Sequence, residues 1–191
     1  MTTLTAVLFV GGESRRMGAD KATQLWNGES LWSRQLRTLR EVKPERIFIS
    51  ARSKPAWCPA DVEIILDEPP SRGPLSGLAA TLQQIETIHL LALAVDLPMM
   101  NSEFLRSLWQ QACPDLGVVP QLNGFYEPLG AIYPVGAAAQ AVAAIRAERF
   151  ALQDFIRSLL VENLMRTIEI KEPDLFLNVN SPDLLKKKPL K

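Results

Sequence analysis

The sequence predicts an α/β fold: a doubly wound, mainly parallel, Rossmann-like sheet with helices on both faces and a small β-hairpin insertion in its second half. Three observations predict it. Short apolar, β-branched runs alternate with longer segments whose apolar residues recur at helical spacing. The runs "LTAVLFV" (4–10) and "IHLLALAV" (88–95) are continuously apolar, as strands of a sheet covered on both faces are. The 191 residues, 47% hydrophobic and 22% charged, suit one compact domain that buries its core without staples.

The elements follow in order. Residues 4–10 form a buried strand that glycines end. In "SLWSRQLRTLREV" (30–42), Leu31, Leu36, Leu39 and Val42 lie near helical spacing, and Pro44 stops the helix. "RIFIS" (46–50) and "VEIIL" (62–66) are the second and third strands. "GPLSGLAATLQQIE" (73–86) is a helix with Pro74 in its first turn. The strand at 88–95 is the most apolar and therefore central. "SEFLRSLWQQA" (102–112) is a helix with Ser102 as its expected N-cap. "GVVPQLNGFYEPLGAIYP" (117–134) carries two strand-like runs about an Asn123-Gly124 turn. Helices follow at 136–148 and 151–163, then a strand at 164–170. The stretch 176–188 reads as a strand end, a polar turn and a short helix. The chain is expected to be one domain over residues 1–191.

Bulk properties exclude several classes. A formal net charge of zero provides no global field for nucleic acid or an anionic membrane. The lysines of the tail read as a solvated helix end. Cys58 and Cys113 show no metal spacing and read as reduced thiols of a cytoplasmic protein. The apolar N-terminal run is too short for a membrane span and lacks a basic leader. The one histidine, His89, sits among apolar neighbours at a strand start. Zinc sites built on histidine and Ser-His-Asp triads are therefore not leading ideas.

Ligands of open α/β sheets bind outside the carboxyl ends of the strands. After the first strand comes "GGESRRMGADK" (11–21). Gly11 and Gly12 permit a tight turn and close approach of a ligand to the backbone. Arg15, Arg16 and Lys21 add positive charge suited to a polyphosphate. The loop lacks the Gly-Lys-Ser/Thr of a Walker loop and the Gly-x-Gly-x-x-Gly of a dinucleotide fingerprint. From spacing alone, a solvated basic turn stands as an equal alternative. In "AVDLPMM", Asp96 directly follows the central strand. A carboxylate there is either a turn cap before Pro98 or a ligand to Mg²⁺, which takes carboxylate oxygens and keeps waters for substrate phosphates.

The loop fills the pattern Gly-Gly-x-Ser-x-Arg-Met-Gly-x-Asp-Lys at every fixed position. It resembles the signature of the molybdenum cofactor guanylyltransferases, within the sugar-nucleotide-like nucleotidyltransferases. Four further stations, in the family's order, extend the resemblance to about residue 185. They are Asp67 ahead of "GPLSGL", Asp96 in "DLP", Glu127 in "YEPLGAIYP", and Asn178 and Asn180 in "NVNSP". The resemblance implies that Arg16, Lys21 and Asp96 are catalytic. It implies nucleotide contacts from Phe9, Val10, Gly11, Gly12, Lys21, Asp67 and Asp96, with Asp96 holding Mg²⁺. Glu127, Asn178 and Asn180 would face the acceptor. Phe9 and Val10 replace the family's Leu-Ala, and Arg52 stands where the family often has a nucleotide-binding Asn; both departures bear on base choice.

The implied activity is transfer of GMP from GTP to the molybdopterin-bound molybdenum cofactor, giving the guanine dinucleotide and pyrophosphate. The attacking group is already a phosphate monoester, so no general base is required. GTP and the molybdopterin cofactor are the implied substrates. Handover to a molybdoenzyme or its chaperone fits so labile a product, though no motif names that partner. Two alternatives stay open: a sister enzyme using CTP or another phosphorylated acceptor, and an inactive nucleotide- or partner-binding protein.

Overall fold

The structure, a computed structural model, describes residues 3–11, 20–66 and 73–179. β1 (Leu4–Phe9) pairs in parallel with β4 (Arg46–Ala51) on one side and β6 (His89–Ala94) on the other. β5 (Glu63–Leu66) extends the sheet beyond β4. Past β6 comes β9 (Gly130–Pro134), which runs antiparallel to it. Beyond β9 lie β7 (Gly117–Leu122) and β10 (Met165–Glu169), parallel to each other. The order β10-β7-β9-β6-β1-β4-β5 places β6 at the centre, as its apolar sequence requires. The short β8 (Phe125–Tyr126) folds back on β7 about Asn123 and Gly124, whose φ values of 50° and 82° suit the left-handed hairpin turn.

Alternate residues of the central strands β1 and β6 enter opposite cores, which is why these two are apolar along nearly their whole length. Leu4, Ala6 and Leu8 pack with α1 (Leu31–Val42) and α3 (Ser102–Gln111). Val7 and Phe9 pack with α2 (Pro74–Leu82), α4 (Ala137–Arg146) and α5 (Leu152–Val161). The sheet is covered on both faces and the doubly wound α/β expectation holds.

Local differences have physical reasons. The stretch 117–134 holds three strands, because Glu127–Leu129 interrupts the second arm of the hairpin: β8 and β9 both run antiparallel to β7, and the register steps from Gln121–Tyr126 to Val118–Ile132. A second small hairpin joins β2 (Leu25–Trp26) to β3 (Glu29–Ser30) through Asn27-Gly28, a turn dipeptide the sequence reading passed over. Asn101, not Ser102, caps α3: its side chain accepts from the Phe104 N–H at 2.8 Å. Ser102 lies inside the first turn and donates to Glu41 instead, at 2.9 Å. α2 ends at Leu82, four residues early, where Gln83 and Gln84 close the last carbonyls. The strand end expected to open 176–188 is instead the close of a 3-10 turn over Pro173–Phe176, and residues 177–179 after it join no strand.

Candidate active site

The strand order reverses between β1 and β6, and the crevice at their carboxyl ends is where such a sheet opens to a ligand. The crevice floor is hydrogen-bonded shut: Val95 N–H donates to Phe9 O at 3.0 Å and Val10 N–H to Ser50 O at 3.1 Å. Phe9 turns its side chain into the α2 core, so it offers the crevice only backbone. Val10 is half-buried and Gly11 is exposed, with nothing within 4 Å of where a Cβ would sit. Gly12, Arg16, Asp67 and Asn180 lie outside the described residues.

Asp20 caps a 3-10 turn over Lys21–Thr23. Its carboxylate accepts from the Ala22 N–H at 3.0 Å, and buried Ala22 anchors the turn. This aims Lys21 across the crevice. Its Nζ lies 2.5 Å from Asp96 Oδ2, and the two side chains are 20% and 16% exposed. The sequence separates them by 75 residues; the topology joins them. The other Asp20 oxygen accepts from Trp57 Nε1 at 2.7 Å, and Trp57 stacks on Trp32 at 4.9 Å between ring centroids. No pattern in "KPAWCPAD" marks this brace; its trace in the sequence is the Asp20-Lys21 pair and the tryptophans Trp32 and Trp57.

Glu127 joins the same space from β9. Because β9 is antiparallel, the residues just before it lie at the end of the sheet where Asp96 follows β6. Its neighbours are held on both sides. Gln153 of α5 donates to Tyr126 O at 2.8 Å and accepts from its N–H at 3.1 Å. The buried Tyr133 hydroxyl donates to Pro128 O at 2.7 Å. Burial raises the Glu127 carboxyl pKa above its ordinary value, and the charge of Asp96 adds to the rise. Two carboxylates thus share a space with one lysine paired to one of them. Asn178 is exposed beside Val179, whose N–H donates to Asp96 O at 3.0 Å.

Among the described residues no group of three His, Cys, Asp or Glu side chains could hold a metal ion. One or two carboxylates are nonetheless the donor set Mg²⁺ uses when substrate phosphates and water complete its shell. His89 plays no part. It starts β6 at the far end of the sheet, its Nε2 lies 2.8 Å from Cys113 O, and burial lowers its pKa. Cys58 and Cys113 are unpaired.

Residues 6–164 match the MobA-like NTP transferase domain. The chain belongs to that family. Its relatives include a probable molybdenum cofactor guanylyltransferase of Opitutus terrae, 34% identical, covering 94% of this chain and 92% of that one. Molybdopterin-guanine dinucleotide biosynthesis protein A of Archaeoglobus fulgidus superposes with a TM-score of 0.74 at 23% identity, over 95% of each chain. The 4-diphosphocytidyl-2C-methyl-D-erythritol synthase of Anaerococcus prevotii superposes with a TM-score of 0.74 at 10% identity, over 96% of this chain and 93% of that one. The MobA-like domain makes this chain a nucleotidyltransferase, as its signature loop implied. The fold itself is shared by proteins named for guanine and for cytidine products, so base choice rests on side chains. Among the described residues no helix is long and apolar enough to cross a membrane.

Proposed function

We propose that this protein transfers GMP from GTP to the molybdopterin-bound molybdenum cofactor, releasing pyrophosphate, in the cytoplasm. The observation that carries the site assignment is the contact between Lys21 of the signature loop and Asp96 after the central strand. A phosphate oxygen of the acceptor attacks the α-phosphorus of GTP, and the bond to the β-phosphate oxygen breaks as pyrophosphate leaves. The chain's work is positioning and charge. Gly11, Gly12 and the backbone of Phe9 and Val10 edge the nucleotide. Lys21 and Arg16 offset charge growing on pyrophosphate. Asp96, with Glu127 beside it, would hold Mg²⁺, which would polarise the substrate phosphates. Asp67 contacts the nucleotide, and Glu127, Asn178 and Asn180 face the acceptor. The nucleotide half is then 1–100 and the acceptor half 101–191, and the product passes to a molybdoenzyme or its chaperone. The crevice needs no general base, since the nucleophile is an ionised phosphate.

Calorimetric titration with GTP, CTP, ATP and UTP, each with Mg²⁺, tests the base. GTP is expected to bind tightly and CTP weakly; the reverse order moves the protein to cytidylyl transfer, with exposed Arg52 the first residue to exchange. Lys21→Ala and Asp96→Ala are expected to abolish turnover in a folded protein. Near-normal pyrophosphate release by both variants sinks the site.

A further inference from the structure

Asp96 sits on chain that has just left β6, where no ladder bond fixes it. Three consecutive carbonyls there are nevertheless each held by a donor from a distant part of the sequence. Val179 N–H donates to Asp96 O at 3.0 Å. Gln35 Nε2 donates to Leu97 O, and Arg34 Nε donates to Pro98 O. The last two donors come from adjacent residues of α1, the helix that packs under this end of β6.

Gln35 is an odd residue for its place. The buried stripe of α1 runs Leu31, Gln35, Leu36, Thr38, Leu39 and Val42. Gln35 is wholly buried, and its Oε1 has no hydrogen-bond partner. A leucine or methionine would fill this site without leaving a buried acceptor unmade. A half-satisfied amide in an apolar core is not explained by stability. It is explained by what its one bond does: the Met100 N–H holds the Leu97 oxygen from within the turn, at 3.0 Å, and Gln35 ties that same oxygen, next to Asp96, to α1.

We propose that Gln35 is a positioning residue that fixes the Asp96 carboxylate for the cation, with Arg34 as its partner on the following carbonyl. This rests on the assignment of Asp96 as a cation ligand. Groups that orient a metal ligand, when removed, typically cost about 10–100-fold in metal affinity or activity. The test is Gln35→Met, which keeps volume and removes the donor. Three quantities are measured: melting temperature, Mn²⁺ affinity of the protein saturated with a non-hydrolysable GTP analogue, and the kcat and KM for GTP. Melting is expected to be unchanged or raised. Mn²⁺ affinity and kcat are expected to fall roughly 10-fold or more, with GTP KM within about twofold. Wild-type Mn²⁺ affinity and kcat in folded Gln35→Met overturn the proposal. Should Gln35→Met not fold, Arg34→Met, on the half-exposed edge of α1, decides: a fall in Mn²⁺ affinity supports the clamp and none overturns it. Asp96→Asn runs alongside. If Asp96→Asn loses Mn²⁺ binding while the clamp variants keep it, the clamp alone is wrong; if all keep it, the assignment of Asp96 is wrong as well.

Discussion

Gly130 opens β9 with its Cα facing the ring of Phe176. A Cβ there would sit 2.7 Å from Phe176 Cε1 and 3.7 Å from Met100 Cε. Restoring an ordinary contact of about 3.4 Å moves the ring by about 0.7 Å. The ring has little room, being buried and packed edge-on against Phe104 at 5.5 Å. Overpacking of this kind costs about 1–3 kcal/mol, and the lost backbone freedom of the unfolded chain returns roughly 0.4–1. Gly130→Ala is therefore expected to destabilise by about 1–2 kcal/mol, which for a chain of this size lowers melting by roughly 2–8 °C. Phe176 lies three residues before Val179, whose N–H holds Asp96 O, so the displacement reaches the site. Thermal melting and Mn²⁺ titration of the nucleotide complex should show both losses. The double variant Gly130→Ala/Phe176→Leu, which makes room for the methyl, should recover more than additivity allows. A Gly130→Ala protein as stable as wild type, or more so, would refute the close packing of Phe176 and with it this route to Asp96.

Other expectations follow from the same geometry. Glu127→Gln should raise stability at neutral pH in metal-free buffer. The folded carboxyl pKa is raised, so wild type loses stability as pH climbs from the ordinary glutamate value through the raised one; glutamine does not. The gain should vanish when both states are protonated, below about pH 4, as urea melts across pH would show. Trp57→Phe keeps the stack on Trp32 but removes the donor to Asp20. It should weaken GTP binding by about 1 kcal/mol, roughly fivefold, measured by calorimetry. Gly117→Ala should cost more than Gly130→Ala, about 3 kcal/mol or above, because its Cβ would meet Ile132 O at 2.3 Å and backbone cannot step aside. Unchanged melting of this variant would contradict the β7–β9 pairing.

Much of the molecule was legible from residues alone, for reasons that can be named. Continuous apolar runs identify strands covered on both faces, so β1 and β6 stood out. Asp96 was visible because a carboxylate at the end of the most apolar strand has no use in a core. Asn123-Gly124 marked its hairpin by the conformations the two residues tolerate. What stayed hidden depends on distance in sequence. Nothing local says that Trp57 reaches Asp20 or that Gln153 grips Tyr126. The choice of Asn101 over Ser102 as cap is a one-residue contest between equally good acceptors, settled by Glu41 taking the serine. Gln35 was readable in principle, as a polar side chain in the middle of an apolar helical stripe.

The reversed direction of β9 has a consequence for how such a protein can be altered. In an all-parallel sheet every loop at the crevice leaves a strand, so changing one disturbs the chain entering the next helix. Here one crevice segment, Phe125–Leu129, arrives at its strand instead and is preceded by a turn at Asn123-Gly124 that faces solvent. Residues can be added or removed at that tip without moving β6, which leads to Asp96, or the turn that carries Lys21. The side of the crevice proposed to meet the acceptor is thereby free to be re-cut for a different phosphorylated molecule while the side proposed for the nucleotide keeps its register.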